Sequence, residues 1–174
     1  MKRKALAITL AAAMAMGTCA VTASAADGDK YTIGICQLVQ HEALDAATQG
    51  FKDEVTKELG EDAVTFDEQN AQGDSNTCST IINSFVSNNV DLILANATPA
   101  LQAAAAGTSD IPILGTSVTE YGVALGLDDF DGTVGGNISG TADLAPLDQQ
   151  AAMLNELFPD AKNVGLDRKS TRLN

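Results

Sequence analysis

The 174 residues contain one imidazole, His41, set in the stretch IGICQLVQHEALD (Ile33 to Asp45) among Gln37, Gln40, Glu42 and Asp45. A histidine beside carboxylates can do general acid–base chemistry, so a secreted α/β enzyme using His41 with Glu42 or Asp45 is one reading. Such an enzyme also needs a nucleophile beside its base, or paired carboxylates with separated pKa values, and no G-x-S-x-G elbow is present. Asp128, Asp129 and Asp131 with Gly132 echo a calcium loop, but its register requires an acid at position 127, which is Leu127. The strip Gly132 to Gly140 (GTVGGNISG) does not fit G-x-G-x-x-G. The residues therefore imply no metal, no dinucleotide and no other cofactor.

A second reading follows from where polar loops fall. Tyr31 to Cys36 is a short apolar strand, followed by a helical stripe of Leu44, Ala47, Phe51, Val55 and Leu59 that Gly60 closes. Ala63 to Phe66 is the next strand. Asp74 or Ser75 then caps a helix that buries Cys78, Ile81, Ile82, Phe85 and Val86. Val90 to Ala95 is an almost continuous apolar strand, as in a sheet covered on both faces. Thr98 and Pro99 have the types expected of an N-cap and a first helical residue. Ile111 to Leu114 is a fourth strand and Val123 to Leu127 a short fifth. The glycine strip is a hinge, a turn or a crossing strand. Leu144, Leu147, Ala151, Leu154 and Phe158 recur at helical spacing, and Asn163 to Leu166 begins like a strand.

Strands separated by helical crossovers require a parallel sheet, so the fold class is α/β, a doubly wound parallel sheet. In such a sheet ligands lie beyond the carboxyl ends of the strands. Four loops meet that description: Gln37 to Glu42, Asn70 to Asp74, Asn96 to Pro99, and Gly115 to Ser117. Their uncharged hydrogen-bonding groups suit a neutral or zwitterionic small molecule better than a phosphate.

Residues 1–26 read as a signal peptide: Lys2, Arg3 and Lys4, then an apolar run, then small residues at Ala23 and Ala25. Lipoprotein processing at Cys19 is the alternative. Between Ala26 and Leu166, 22 acidic side chains face only Lys30, Lys52, Lys57 and Lys162, a surface that repels nucleic acid. Cys36 and Cys78 can be bridged or act as two buried thiols. The mature chain, ~140 residues, suffices for one compact domain. Residues 167–174 (DRKSTRLN) break the pattern and look like a translated read-through end.

The segments IGICQLVQHEALDAATQGF, NAQGD, NATPALQAAA and GGNISGTADL together resemble the substrate-binding protein family of ABC transporters often called tryptophan/tyrosine-type, from about Tyr31 to Leu166. The resemblance implies a two-lobed periplasmic-binding-protein fold (type I) that closes on a small ligand, commonly an aromatic amino acid, and delivers it to a membrane permease. It also implies a monomeric, exported protein that is periplasmic or held at the outer face of the membrane. On this basis residues 27–134 form the first lobe, and 135–166 cross over and start a second lobe that is mostly missing. The implied ligand contacts are Gln37 and His41, Thr98 and Pro99, Thr116 and Ser117, with Asp143 holding an ammonium group. Where an aspartate-proline pair is expected after Thr116, this chain has Glu120-Tyr121.

Overall fold

The computed structural model describes residues 30–165, so the leader 1–26 and the tail 167–174 lie outside the described residues. Strand β1 (Tyr31–Gln37) leads to helix α1 (Glu42–Leu59), and a single 3-10 turn joins that helix to β2 (Val64–Asn70). Next come α2 (Ser75–Ser87), β3 (Leu92–Asn96), α3 (Thr98–Gly107), β4 (Ile113–Val118), the short α4 (Tyr121–Leu125), β5 (Ile138–Ala142) and α5 (Leu147–Leu157). The sheet order is β2-β1-β3-β4-β5 and every pair is parallel. This is the doubly wound α/β architecture expected from the sequence.

Period-2 alternation sends each strand's side chains to two different covers. On one face, Ile33, Ile35 and Leu94 pack with Phe66 and Leu114 beneath Phe51 and Val55 of α1. On the other, Ile93, Ala95 and Ile113 meet Ile82 and Phe85 of α2, Leu101 and Ala104 of α3, and Tyr121 of α4. Gly34 permits this second packing, because a Cβ there would stand 2.6 Å from the Phe85 ring. Cys36 and Cys78 meet in the same layer as buried free thiols. Burial, reinforced by the neighbouring Cys78, pushes the Cys36 thiol far above its ordinary range.

The structure corrects several local expectations. Val123 to Leu127 is not a strand. Glu120 caps α4 there, its carboxylate accepting from the N–H groups of Gly122 (2.9 Å) and Val123, and left-handed Gly126 ends the turn. Local capping thus overrides a β-like apolar run. The fifth strand comes instead from the glycine strip, where Gly135 and Gly136 take positive φ and β5 follows. Pro112 precedes β4 rather than lying inside it. Residues 163–165 form no strand among the described residues.

Thr98 is not the N-cap of α3. That position belongs to Ala97 (φ 92°, ψ 158°), and Thr98 is the first helical residue. Asp74 does cap α2, its carboxylate accepting from the Thr77 N–H at 2.7 Å.

Candidate functional site

The strand order reverses between β2-β1 and β1-β3-β4, so the switch point lies between β1 and β3, where open α/β sheets place their ligands. Register aligns Asn70 with Gln37, Gln37 with Asn96, and Asn96 with Thr116. The last layer of the sheet before its carboxyl edge is therefore a row of four polar residues. It continues the columns that deeper in the sheet hold Ile33, Ile35, Leu92, Leu94 and Leu114.

Two members of this row are almost closed to solvent, Gln37 at 4 % exposure and Asn96 at 0 %. A directed chain of hydrogen bonds serves both amides and, among the described residues, leaves one Asn96 acceptor unpaired. The Asn96 Nδ2 group donates to Thr48 Oγ1 (2.9 Å) and to the Leu44 carbonyl (2.8 Å). Thr48 Oγ1 donates to Gln37 Oε1 (2.7 Å), and Gln37 Nε2 donates to Asp45 Oδ1 (2.6 Å) and to the Val39 carbonyl (3.0 Å). The chain ends on a carboxylate, so Asp45 is an internal acceptor rather than a solvated charge. Among the described residues, Asn96 Oδ1 has no hydrogen-bond partner.

The loops above this layer carry the other expected residues. His41 is the N-cap of α1, its Nδ1 accepting from the Ala43 N–H at 3.2 Å. Since Nδ1 is the acceptor, the neutral ring keeps its proton on Nε2. The Asp45 carboxylate is engaged by Gln37 and the His41 Nδ1 by the backbone, so the two do not form an imidazole–carboxylate dyad.

At α3 the Ala97 N–H donates to the Thr116 carbonyl (3.0 Å), tying two loops together. Alanine offers no side-chain acceptor, and no side chain caps this helix. α1, α2 and α4 are each capped by their own side chain: His41, Asp74 and Glu120. At α3 the first-turn N–H groups lack intrahelical acceptors, and its positive dipole end points at the carboxyl edge. Pro99 presets the φ of that first turn.

Thr116 and Ser117 lie at a β-bulge. Gly115 pairs with Gly140 but Val118 with Ala142, so β4 carries one extra residue there. Bulges re-aim side chains beside functional sites. Three carboxyl-edge loops also hold a non-glycine residue at positive φ: Gln72 (55°), Ala97 (92°) and Ser117 (55°). Asn89 and Asp129 share that region, but Asx residues tolerate it in ordinary turns. Strained backbone of this kind concentrates at ligand clamps.

Asp143 follows β5 on the same edge, exposed, with its N–H donating to the Val118 carbonyl at 3.1 Å. The predicted residues thus share the carboxyl edge, all of them at least partly exposed except Gln37, which is buried beneath it. A groove of about 510 Å3 beside β5, lined by Glu120, Tyr121, Phe130 and Leu144, contains none of them. Another of about 320 Å3 on the α1 face includes Thr116 with Phe51, Leu94 and Leu114. Among the described residues no His, Cys, Asp or Glu group of three or more is placed to hold a metal ion.

The sequence reading missed Thr48, and it placed Asn96 and Ala97 in a ligand-facing loop without their roles, Asn96 as a buried link of the polar row and Ala97 as the N-cap of α3. Thr48 had a signal, since it interrupts the apolar stripe of α1 at a position due for burial, between Leu44 and Phe51. Asn96 ends the alternation of LILAN, where a polar residue closes an otherwise apolar column.

Comparison with known proteins gives a consistent picture. The model of the ABC transporter substrate binding protein family matches residues 32–171. A curated relative, the tyrosine-binding protein of Clostridioides difficile, is 41 % identical over 146 residues, covering 82 % of this chain and 41 % of its own length. A ligand-free, open substrate binding protein with adhesive properties from Clostridium difficile superposes with a TM-score of 0.67 at 42 % identity. An ABC domain from Streptococcus pneumonia in complex with L-Trp superposes with a TM-score of 0.68 at 32 % identity. Each alignment covers 76 % of this chain and 45 % of the solved one, so the chain spans less than half the length of these relatives.

Proposed function

The chain belongs to the ABC transporter substrate binding protein family, and from that premise we propose that it forms one wall of a cleft that captures an aromatic amino acid for delivery to a membrane permease. The observation that carries this reading is the uncapped N-terminus of α3 beside the polar row. There the free N–H groups of the first turn receive the ligand carboxylate. Asp143, across the Thr116–Ser117 bulge, receives the ammonium group. His41 presents Nε2, and Thr116 and Ser117 present hydroxyls. Pro99 fixes the first turn of α3. Gln37 acts from behind, holding the His41 loop to Asp45 and Thr48.

The ligands named for the relatives, tyrosine and tryptophan, support an aromatic side chain. Aromatic residues make up only 4 % of this chain, so the stacking surface is assigned to the second lobe. The apolar stripe of α5 is assigned to the same lobe. Export, through the leader 1–26, places the protein outside the cytoplasmic membrane as a monomer.

Calorimetry with L-tyrosine and L-tryptophan tests the proposal, using this chain alone and joined to the second half of the Clostridioides difficile relative. The joined protein should bind at least one of them and the chain alone far more weakly, because closure of two lobes supplies much of the affinity. Asp143→Asn should weaken binding by tenfold or more. Absence of binding by the joined protein, or indifference to Asp143→Asn, overturns the assignment. Catalytic consumption of either amino acid, abolished by His41→Ala, would favour the enzyme reading.

A further inference from the structure

We infer that Tyr121 is a positioning residue for Asp143, clasping the edge strand β5 onto β4 so that the carboxylate at its end is held in place. Tyr121 opens α4 and is 5 % exposed. Its hydroxyl donates to the Thr141 carbonyl of β5 at 3.2 Å. The ring end occupies a niche made by two glycines that are register partners, Gly115 of β4 and Gly140 of β5. A Cβ on either would collide with the tyrosine hydroxyl, and one on Gly140 would also strike the Gly115 carbonyl. A bare-backbone pair admits the ring at this point, immediately before the bulge that holds Thr116 and Ser117.

The start of β5 is anchored by Asn137, whose Nδ2 donates to the Ile111 (2.8 Å) and Thr108 (3.2 Å) carbonyls, but its far end has few side-chain contacts. Of its residues only Ile138 is partly buried, and Ser139 to Ala142 are exposed. It pairs with β4 alone. Two residues beyond the Thr141 carbonyl, Asp143 is held through its own N–H to Val118. The phenol feels this neighbour: burial first, then the Asp143 charge, pushes the Tyr121 hydroxyl above its ordinary range. Glu120, the adjacent acid, is turned away into the α4 cap. The Glu120-Tyr121 pair is therefore committed to holding structure, the glutamate to α4 and the tyrosine to β5. The importance of Asp143 itself rests on the proposed function, but the clasp does not need a ligand to be observed.

The test uses the 174-residue chain without ligand. In a Tyr31→Phe background, which leaves Tyr121 as the only phenol, absorbance titration should place its ionisation above the usual range. Adding Asp143→Asn should move that midpoint to lower pH. Tyr121→Phe keeps the ring and removes the hydroxyl; it should speed hydrogen exchange at Asp143 and in β5 roughly three- to tenfold, consistent with loss of one hydrogen bond, while β1 and β3 stay unchanged. Gly140→Ala should release β5 more completely. An unmoved phenol midpoint, or exchange that is unaltered or rises equally across the sheet, overturns the inference. Since neither readout contains a ligand, a positive result here with no effect of Asp143→Asn on amino-acid binding would sink the ligand assignment and leave the clasp standing.

Discussion

At the β1–β3 corner, amides and a hydroxyl lie sealed under α1, whereas after β5 the side chains of Leu147, Met153, Leu157 and Phe158 lie on the outside. Both regions depart from the rule that apolar groups go in and polar groups out. The corner can bury Gln37, Thr48 and Asn96 because each finds hydrogen-bond partners there, three of the contacts falling between 2.6 and 2.8 Å. α5 has an amphipathic sequence, yet its apolar stripe meets no described residue that would cover it. What differs between the regions is the availability of a partner, more than the polarity of the residues themselves.

The comparison breaks most sharply in a truncation series. Phe85, fully buried against Gly34, should cost about 3–5 kcal/mol when changed to alanine, read from urea unfolding. Leu157→Ala, an equally apolar truncation in α5, should stay within about 0.5 kcal/mol. A Leu157 cost above about 1 kcal/mol would mean that α5 docks on the first sheet. Hydrogen exchange gives an independent view: α5 amides should approach unprotected rates while those of β1 and β3 exchange only on global unfolding.

Thr48→Val sharpens the other side, since it keeps the shape and removes the middle link. Gln37 Oε1 loses its donor and Asn96 Nδ2 keeps only the Leu44 carbonyl. Unsatisfied buried groups of this kind cost about 1–3 kcal/mol. If Thr48→Val were neutral in the same unfolding assay, the polar layer would be an ornament of the core rather than a support for the loops above it.

The corner also marks where the sequence was and was not readable. The order of strands and helices was legible because period-2 and period-3.6 patterns were long and clean, from YTIGIC to the stripes of α1 and α2. The carboxyl-edge loops followed from that order, and so did the neighbourhood of His41, Thr98 and Thr116, whereas Asp143 was reached only through the family resemblance. What could not be read was the partner of each polar group. Gln37 and Asp45 are eight residues apart and only Gln37 was expected at the cleft, yet a strand end and a helix turn bring them within 2.6 Å of each other. The α4 error has the same origin. VALGL has strand-like composition, but the carboxylate of Glu120 supplies two N–H groups with an acceptor, and a helix of only five residues forms. Capping is decided by side-chain geometry over three residues, which a hydrophobic pattern does not record.

Helix caps supply the finest test of the comparison, because they hold the loops around the polar corner with single hydrogen bonds. His41→Ala removes the Nδ1 acceptor of the Ala43 N–H and should cost about 1 kcal/mol, with faster exchange confined to the first turn of α1. The Asp74 cap can be released without mutation. Its bond from the Thr77 N–H holds the Asp74 carboxyl below the usual carboxylate range. A folded-state pKa below the unfolded one means that the stabilisation is complete above the unfolded value and disappears as pH falls through the folded one. The Thr77 amide resonance should therefore titrate at a pH below the ordinary aspartate range, and Asp74→Asn should abolish that titration while preserving an oxygen acceptor. A Thr77 titration at the ordinary aspartate position would show that the carboxylate does not cap α2 in solution. Such a result would leave His41 and Glu120 as the only side-chain caps among α1 to α4, and the contrast with bare α3 would weaken accordingly.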